Sequence, residues 1–197
     1  MFEGKIEIEK ALAAFSEQLE ALGAGITEMV VCGGAALNVL GYVRRTTKDV
    51  DVIALVEKKG GSISLVKAGP FPALINQAAD KVQRDFSLPA NWLNPGPASV
   101  MDFGLPHGLM ERVITKAYGK ALIIHYLGRY DQIHFKLYAA VDQGGKHFDD
   151  LLALKPSSRE LEDAARWTMT HDLSEGFRLI IKGFLNRIGH ADVAAKL

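Results

Sequence analysis

Residues 31–56 read VCGGAALNVLGYVRRTTKDVDVIALV. Val31 and Cys32 end an apolar stretch, EMVVCG, that is short and β-branched enough to form a buried strand. Gly33 and Gly34 then open GAALNVLG, which suits two helical turns closed by Gly41. A basic, threonine-rich turn carries Arg44, Arg45, Thr46 and Thr47 into DVDVIALV. This second strand is almost wholly apolar after Asp51, so both of its faces are expected to be covered. Alternate side chains of a strand share a face, which places Asp49 and Asp51 together, roughly 6 to 7 Å apart at Cα. Carboxylates held that close repel unless a cation lies between them. Hard oxygen ligands select Mg²⁺ or Mn²⁺, ions that keep waters and often bind substrate phosphates. The glycines complement the acids, because bare backbone N–H groups at a helix start can face an anion.

Upstream, Ile8, Leu12, Phe15, Leu19 and Leu22 recur at helical spacing, and Gly23 and Gly25 are suited to ending that helix. Downstream, EKKGGSIS reads as a turn. Residues 70–86 carry a helical stripe of Phe71, Leu74, Ile75, Ala78, Ala79 and Val82. Residues 87–108 hold four prolines and read as a long irregular loop. ERVITKAYGKALIIHYLG reads as two strands joined near Tyr118 and Gly119. Helices are expected over 129–142, 148–153, 157–170 and 174–188, with a capping box from Ser157 and Glu160. The expectation is an α/β (α+β) fold with a mixed sheet flanked by helices. A core over 1–128 and a helical C-terminal part over 129–197 would pack as one compact domain.

With 197 residues, 48% hydrophobic and 23% charged, the chain has the size and composition of a single globular domain. Its 23 basic and 23 acidic residues cancel, so it lacks a global electrostatic footprint for nucleic acid. Cys32 is the only cysteine, which excludes a disulfide framework and a cysteine metal cluster. MFEGKIEIEK lacks the apolar core of a signal peptide, and no apolar run approaches the ~20 residues that cross a bilayer. A soluble, cytoplasmic domain of bacterial type, without a membrane partner, is expected.

The succession strand, Gly-Gly, short helix, glycine, basic turn, Asp-x-Asp, strand resembles the nucleotidyltransferase superfamily, in the branch related to the AbiEii-type bacterial toxins. The matching residues are Gly33, Gly34, Ala35, Gly41, Arg45, Thr46 or Thr47, Asp49 and Asp51. DQIHFKLYAAVDQGGKHFDDLLAL, residues 131–154, resembles that branch's later motif, with Lys136 in one helix and Asp150, beside Asp149, in the next. The resemblance implies a polymerase-β-like fold that uses Mg²⁺ or Mn²⁺ to move a nucleoside monophosphate from an NTP to an acceptor hydroxyl. Asp49 and Asp51 would hold the metal, and Gly33, Gly34, Arg45 and Thr47 would bind the nucleotide. Lys136 would contact the triphosphate, with Asp150 positioning it or binding the nucleotide. A toxin of a toxin–antitoxin pair is implied, with tRNA or another macromolecule as acceptor and a cognate antitoxin as partner.

The match has gaps. The superfamily usually takes a third carboxylate from a later strand, yet ALIIHYLG offers only His125 and Tyr126. Asp102 and Asp131 are the acids that could substitute. Ala35 stands where the family often carries serine. These gaps motivate a second reading, a nucleotide- or partner-binding module of the same fold without turnover. A sugar-nucleotide transferase using D-x-D for a metal–diphosphate is a third. The six histidines are scattered. His134 and His147 are not at metal-ligand spacing and read as ordinary structural residues. Trp92 and Trp167 read as packing residues and Cys32 as a buried thiol.

Overall fold

A computed structural model describes residues 1–197, the side chain of Lys59 excepted. The chain divides into two units. One comprises residues 1–104 and 113–127, the other residues 105–112 and 128–197. The first unit is α/β, with six strands in one mixed sheet. The second is helical. No helix is long and apolar enough to cross a membrane.

In the first unit α1 (Lys5–Ala21) buries Ile8, Leu12, Phe15 and Leu19, the stripe visible in its sequence. Strand β1 (Thr27–Cys32) lies at the centre of the sheet, antiparallel to β2 (Val50–Lys59) and parallel to β6 (Leu122–Tyr126). A strand paired on both edges and covered on both faces favours apolar residues, and Met29, Val30 and Val31 are fully buried. Between β1 and β2 the chain forms α2 (Gly33–Val39), all of it buried. Strand β2 runs past the expected end at Val56 and joins β3 (Ser62–Lys67) in an antiparallel hairpin, so EKKGGSIS is a strand pair and not simply a turn. Only Gly60 and Gly61 make the connection, both at positive φ, as a two-residue hairpin turn demands.

One irregularity marks the centre of the sheet. Val30 pairs with Ala54 but Val31 pairs with Val52, which leaves Ile53 as the extra residue of a β-bulge. Val52, Ile53 and Ala54 are all fully buried, as a strand covered on both faces requires.

The proline-rich segment is more ordered than its composition suggests. Leu93 and Asn94 form β4, parallel to the start of β2, and a 3₁₀ helix follows over Gly96–Phe103. Trp92 anchors the segment. Its ring meets Phe2 and Phe15 edge to face, its indole N–H donates to the Ala79 carbonyl at 3.0 Å, and it is 1% exposed. Each such aromatic pair adds about 0.5–1.5 kcal/mol beyond area burial. Helix α3 (Ala73–Asp85) supplies that carbonyl and packs with α1. Strand β5 (Ile114–Tyr118) closes the sheet against β6. There the phenols of Tyr118 and Tyr126 share a 2.7 Å hydrogen bond, and burial pushes the Tyr118 hydroxyl up to about 12.

The second unit contains α4 (Arg129–Gln143), α5 (Lys146–Ala153), α6 (Ser158–Thr168), α7 (Glu175–Arg187) and the single turn α8 (Ala191–Ala194). The capping box is present: the Ser157 hydroxyl accepts from the Glu160 amide, and the Glu160 carboxylate accepts from the Ser157 amide at 2.8 Å. Arg129 ties α4 to this cap through Glu160 and donates to the Leu154 and Lys155 carbonyls. Residues 105–112 belong here because Arg112 forms a two-pronged pair with the buried carboxylate of Asp131, at 3.0 and 2.7 Å.

Candidate functional site

The two aspartates stand at the start of β2, and both are half-buried. Asp49 precedes the strand. Asp51 is paired with Cys32, the last residue of β1, and so lies beside the glycine turn. A methyl group on Gly33 would sit 3.1 Å from Asp51 Cγ and closer still to Oδ2. Gly33 also holds φ at 73°. Glycine is therefore needed twice over, for a left-handed backbone and for room beside the carboxylate. Gly34 has different neighbours. A methyl group there would meet Arg45 Nη2 and Thr47 Oγ1, each at 2.9 Å. An acid stands over the first glycine, while a guanidinium and a hydroxyl stand over the second.

Asn38 builds this arrangement. It is 4% exposed in α2, and its Nδ2 donates to the carbonyls of Gly34 at 2.9 Å and Arg45 at 3.0 Å. Its Oδ1 accepts from the Arg45 amide at 3.3 Å. The side chain thus staples the basic turn to the glycine turn. Thr47 is fixed from the other side by a backbone pair with Phe2, at 2.8 and 3.0 Å.

Asn94 completes the acid pair. Its Nδ2 donates to Asp51 Oδ1 at 2.9 Å and reaches Asp49 Oδ2 at 3.5 Å. The Gly96 amide, 2.9 Å from Asn94 Oδ1, fixes which way the amide faces. Its N–H groups offset part of the repulsion between the carboxylates. The parallel pairing of Asn94 with Asp51 in β4 puts it there. The sequence reading missed both asparagines. An Asn between Leu37 and Val39 in a buried turn was a detectable signal for the first; the two-residue strand of the second left none.

The later strand contributes no acid. His125 Nε2 lies 2.9 Å from Glu28 Oε2, and its Nδ1 lies 2.9 Å from Thr115 Oγ1. Lys58 pairs with the other Glu28 oxygen at 2.5 Å. Burial alone would raise the Glu28 carboxyl, but the hydrogen bonds from Lys58 and His125 outweigh it and hold the group below its usual value. Tyr126 is spent on Tyr118. Of the substitute acids, Asp102 pairs with Lys67 at 2.5 Å and Asp131 with Arg112. Among the described residues no group of three His, Cys, Asp or Glu side chains is placed to hold a metal. What the site offers is a pair of half-buried hard oxygen donors that both face the amide N–H group of Asn94. That set fits a divalent ion completed by water and phosphate oxygens.

Lys136 and Asp150 meet in the second unit. Their charged atoms are 2.8 Å apart, with side chains 4% and 1% exposed. The ammonium read from sequence as a phosphate ligand is already matched by a buried carboxylate.

Compared with protein-family models, with curated proteins and with solved structures, the chain matches none.

Proposed function

We propose that this chain is a metal-dependent nucleotidyltransferase of polymerase-β-like fold, moving a nucleoside monophosphate from an NTP to an acceptor hydroxyl. The observation that carries the reading is the convergence of Asp49, Asp51 and Asn94 beside the Gly33–Gly34 turn. The resemblance of residues 33–51 to nucleotidyltransferases of the AbiEii-type toxin branch supports it. Asp49 and Asp51 would hold Mg²⁺ or Mn²⁺, which when bound neutralises charge on the transferred phosphoryl group. The chain's own groups do the rest. Asn94 fixes the spacing and orientation of the carboxylates. Gly34 leaves room for the Arg45 guanidinium and the Thr47 hydroxyl, which would donate to phosphate oxygens. Lys136 enters as half of a buried pair with Asp150 and not as an open phosphate ligand. The acceptor hydroxyl attacks the α-phosphorus in line, and pyrophosphate leaves. The resemblance extends the proposal to a toxin of a toxin–antitoxin pair, with tRNA or another macromolecule as acceptor. Incubation with labelled NTPs and an RNA pool tests the assignment: the wild type transfers label and Asp51→Asn does not. Equal transfer by both refutes it.

A second reading has its own observation. With His125 engaged by Glu28 and Thr115, β6 offers neither an acid nor an open base. The fold would then bind nucleotide without turnover. Calorimetry separates the readings, since binding of Mg²⁺–ATP without pyrophosphate release favours the second.

A further inference from the structure

The helical unit contains an open pocket of about 450 Å³, within the range of small-molecule sites. Tyr130 and Trp167 give it aromatic walls, Arg112 and Arg166 two guanidinia, Asp163 a carboxylate and His134 an imidazole. His134 decides what the pocket can hold. It is 3% exposed, and its Nδ1 lies 2.9 Å from the Tyr130 carbonyl oxygen. A carbonyl only accepts, so Nδ1 carries the proton and Nε2 is left with a lone pair. Burial lowers the tendency of this ring to charge, which keeps it a neutral acceptor. Among the described residues nothing donates to Nε2. Asp163 takes one hydrogen bond, from the Tyr130 hydroxyl at 3.1 Å, and keeps further acceptor capacity.

The donors lie opposite in chemistry. Arg112 uses Nε and Nη2 on Asp131 and the His107 carbonyl, and Arg166 uses the same two atoms on Glu162 and the Lys196 carbonyl. Each keeps an Nη1 group for something else. A ligand that suits this lining is flat, presents N–H groups along one edge and accepts hydrogen bonds along another. Guanine has that pattern: N1–H and N2–H₂ on one edge, O6 and N7 on the other, where arginine is its commonest partner.

We infer that the helical unit binds a guanine base, with His134 and Asp163 accepting from its donor edge, Arg112 or Arg166 donating to its acceptor edge, and Tyr130 and Trp167 forming the aromatic walls. The inference uses residues of the second unit alone and stands apart from the transfer reading. The base can come from a free mononucleotide or from a guanosine in single-stranded RNA.

Tryptophan emission of the full chain is followed during titration with GMP, AMP, UMP and ribose 5-phosphate. GMP is expected to quench saturably and at least tenfold more tightly than AMP or UMP, and ribose 5-phosphate is expected not to quench. Asp163→Asn and Arg166→Ala should each weaken GMP at least tenfold. A guanosine-containing RNA that binds more tightly than GMP assigns the source as RNA; a weaker one assigns it as the free nucleotide, and both outcomes support the site. His134→Gln should abolish binding. Because that variant alters a buried group, the ¹⁵N resonance of His134 Nε2 in the wild type gives the parallel readout, and it should shift with GMP alone. Absence of guanine preference, unchanged affinity in both Asp163→Asn and Arg166→Ala, or an unmoved Nε2 resonance overturns the inference.

Discussion

Gly33→Ala and Gly41→Ala form a matched pair of perturbations. Both glycines hold left-handed backbone, at φ of 73° and 78°. An alanine at either position therefore costs about 1–2 kcal/mol, as its Cβ crowds the following carbonyl. Their surroundings differ. Nothing lies within 4 Å of a methyl group at Gly41, whereas one at Gly33 would sit 3.1 Å from Asp51 Cγ with Oδ2 nearer still. The backbone is pinned by β1 and α2, so the Asp51 side chain is the partner that yields, and it gives up its bond from Asn94. A hydrogen bond to a charged group is worth about 1.5–3 kcal/mol, and half-exposure cuts that to about 1 kcal/mol. Gly33→Ala should thus lose about 1 kcal/mol more than Gly41→Ala, or about 2–4 °C in Tm for a chain of this size. The larger difference is expected in metal binding. Moving even an outer-shell partner costs about 10–100-fold, so displacing Asp51 should weaken Mn²⁺ at least tenfold, while Gly41→Ala should stay near wild type. Thermal unfolding by circular dichroism and Mn²⁺ titration by electron paramagnetic resonance read the two effects. Equal Tm losses together with equal Mn²⁺ affinities would refute the placement of Asp51 as a ligand held against the glycine turn.

Three other perturbations probe the rest of the structure. Asn94→Asp puts a third negative charge beside Asp49 and Asp51; in EDTA its Tm should fall by the equivalent of about 1 kcal/mol, and its Mn²⁺ affinity should rise at least tenfold. A Tm equal to wild type in EDTA would show that Asn94 does not separate the acids. Lys136→Met leaves the 1%-exposed Asp150 without its ammonium and should cost about 3–5 kcal/mol in urea unfolding, most of it recovered in Lys136→Met/Asp150→Leu. A loss under about 1 kcal/mol would contradict a buried pair. At Glu160, burial acts to raise the carboxyl, but Arg129 and the Ser157 cap outweigh it and hold the group at about 2, against a usual value of 4.5. A depressed carboxyl stabilises the fold above its ordinary value and loses that contribution as pH falls toward the folded one. Glu160→Gln should therefore be less stable than wild type at pH 7, with the gap closing between about pH 5 and pH 2; a gap that widens on acidification would invert the sign.

The elements that carry the acid pair were legible because each has a local signature. β1 is an apolar run ended by glycines, α2 is two turns between glycines, and β2 alternates at its mouth before becoming apolar. What escaped depends on distant pairing. β4 is two residues long, and Asn94 gains its role only because Leu93 and Asn94 pair with Val50 and Asp51. β3 is almost wholly exposed, so it shows no alternation to detect. Its one signal was Gly60–Gly61, a dipeptide suited to a two-residue hairpin. Lys136 and Asp150 were both singled out from sequence, but spacing alone could not say that α5 turns the carboxylate back onto the ammonium. His134 read as structural because a buried histidine usually is; the lone pair left on Nε2 follows from the Tyr130 carbonyl, which periodicity does not report.

On the ribosome, β1 emerges long before its parallel partner. Until residues 122–126 have left the exit tunnel, Met29, Val30 and Val31 present an open apolar edge, the kind that pairs with other nascent chains. The delay is built into the connectivity, because residues 105–112 are synthesised between two parts of the sheet yet belong to the helical unit. Residues 1–104 thus lack two strands of the sheet, β5 and β6. Slow closure by non-local strands is costly in both rate and solubility, so expression of this chain should respond to holdase chaperones more than to changes on its helical surface.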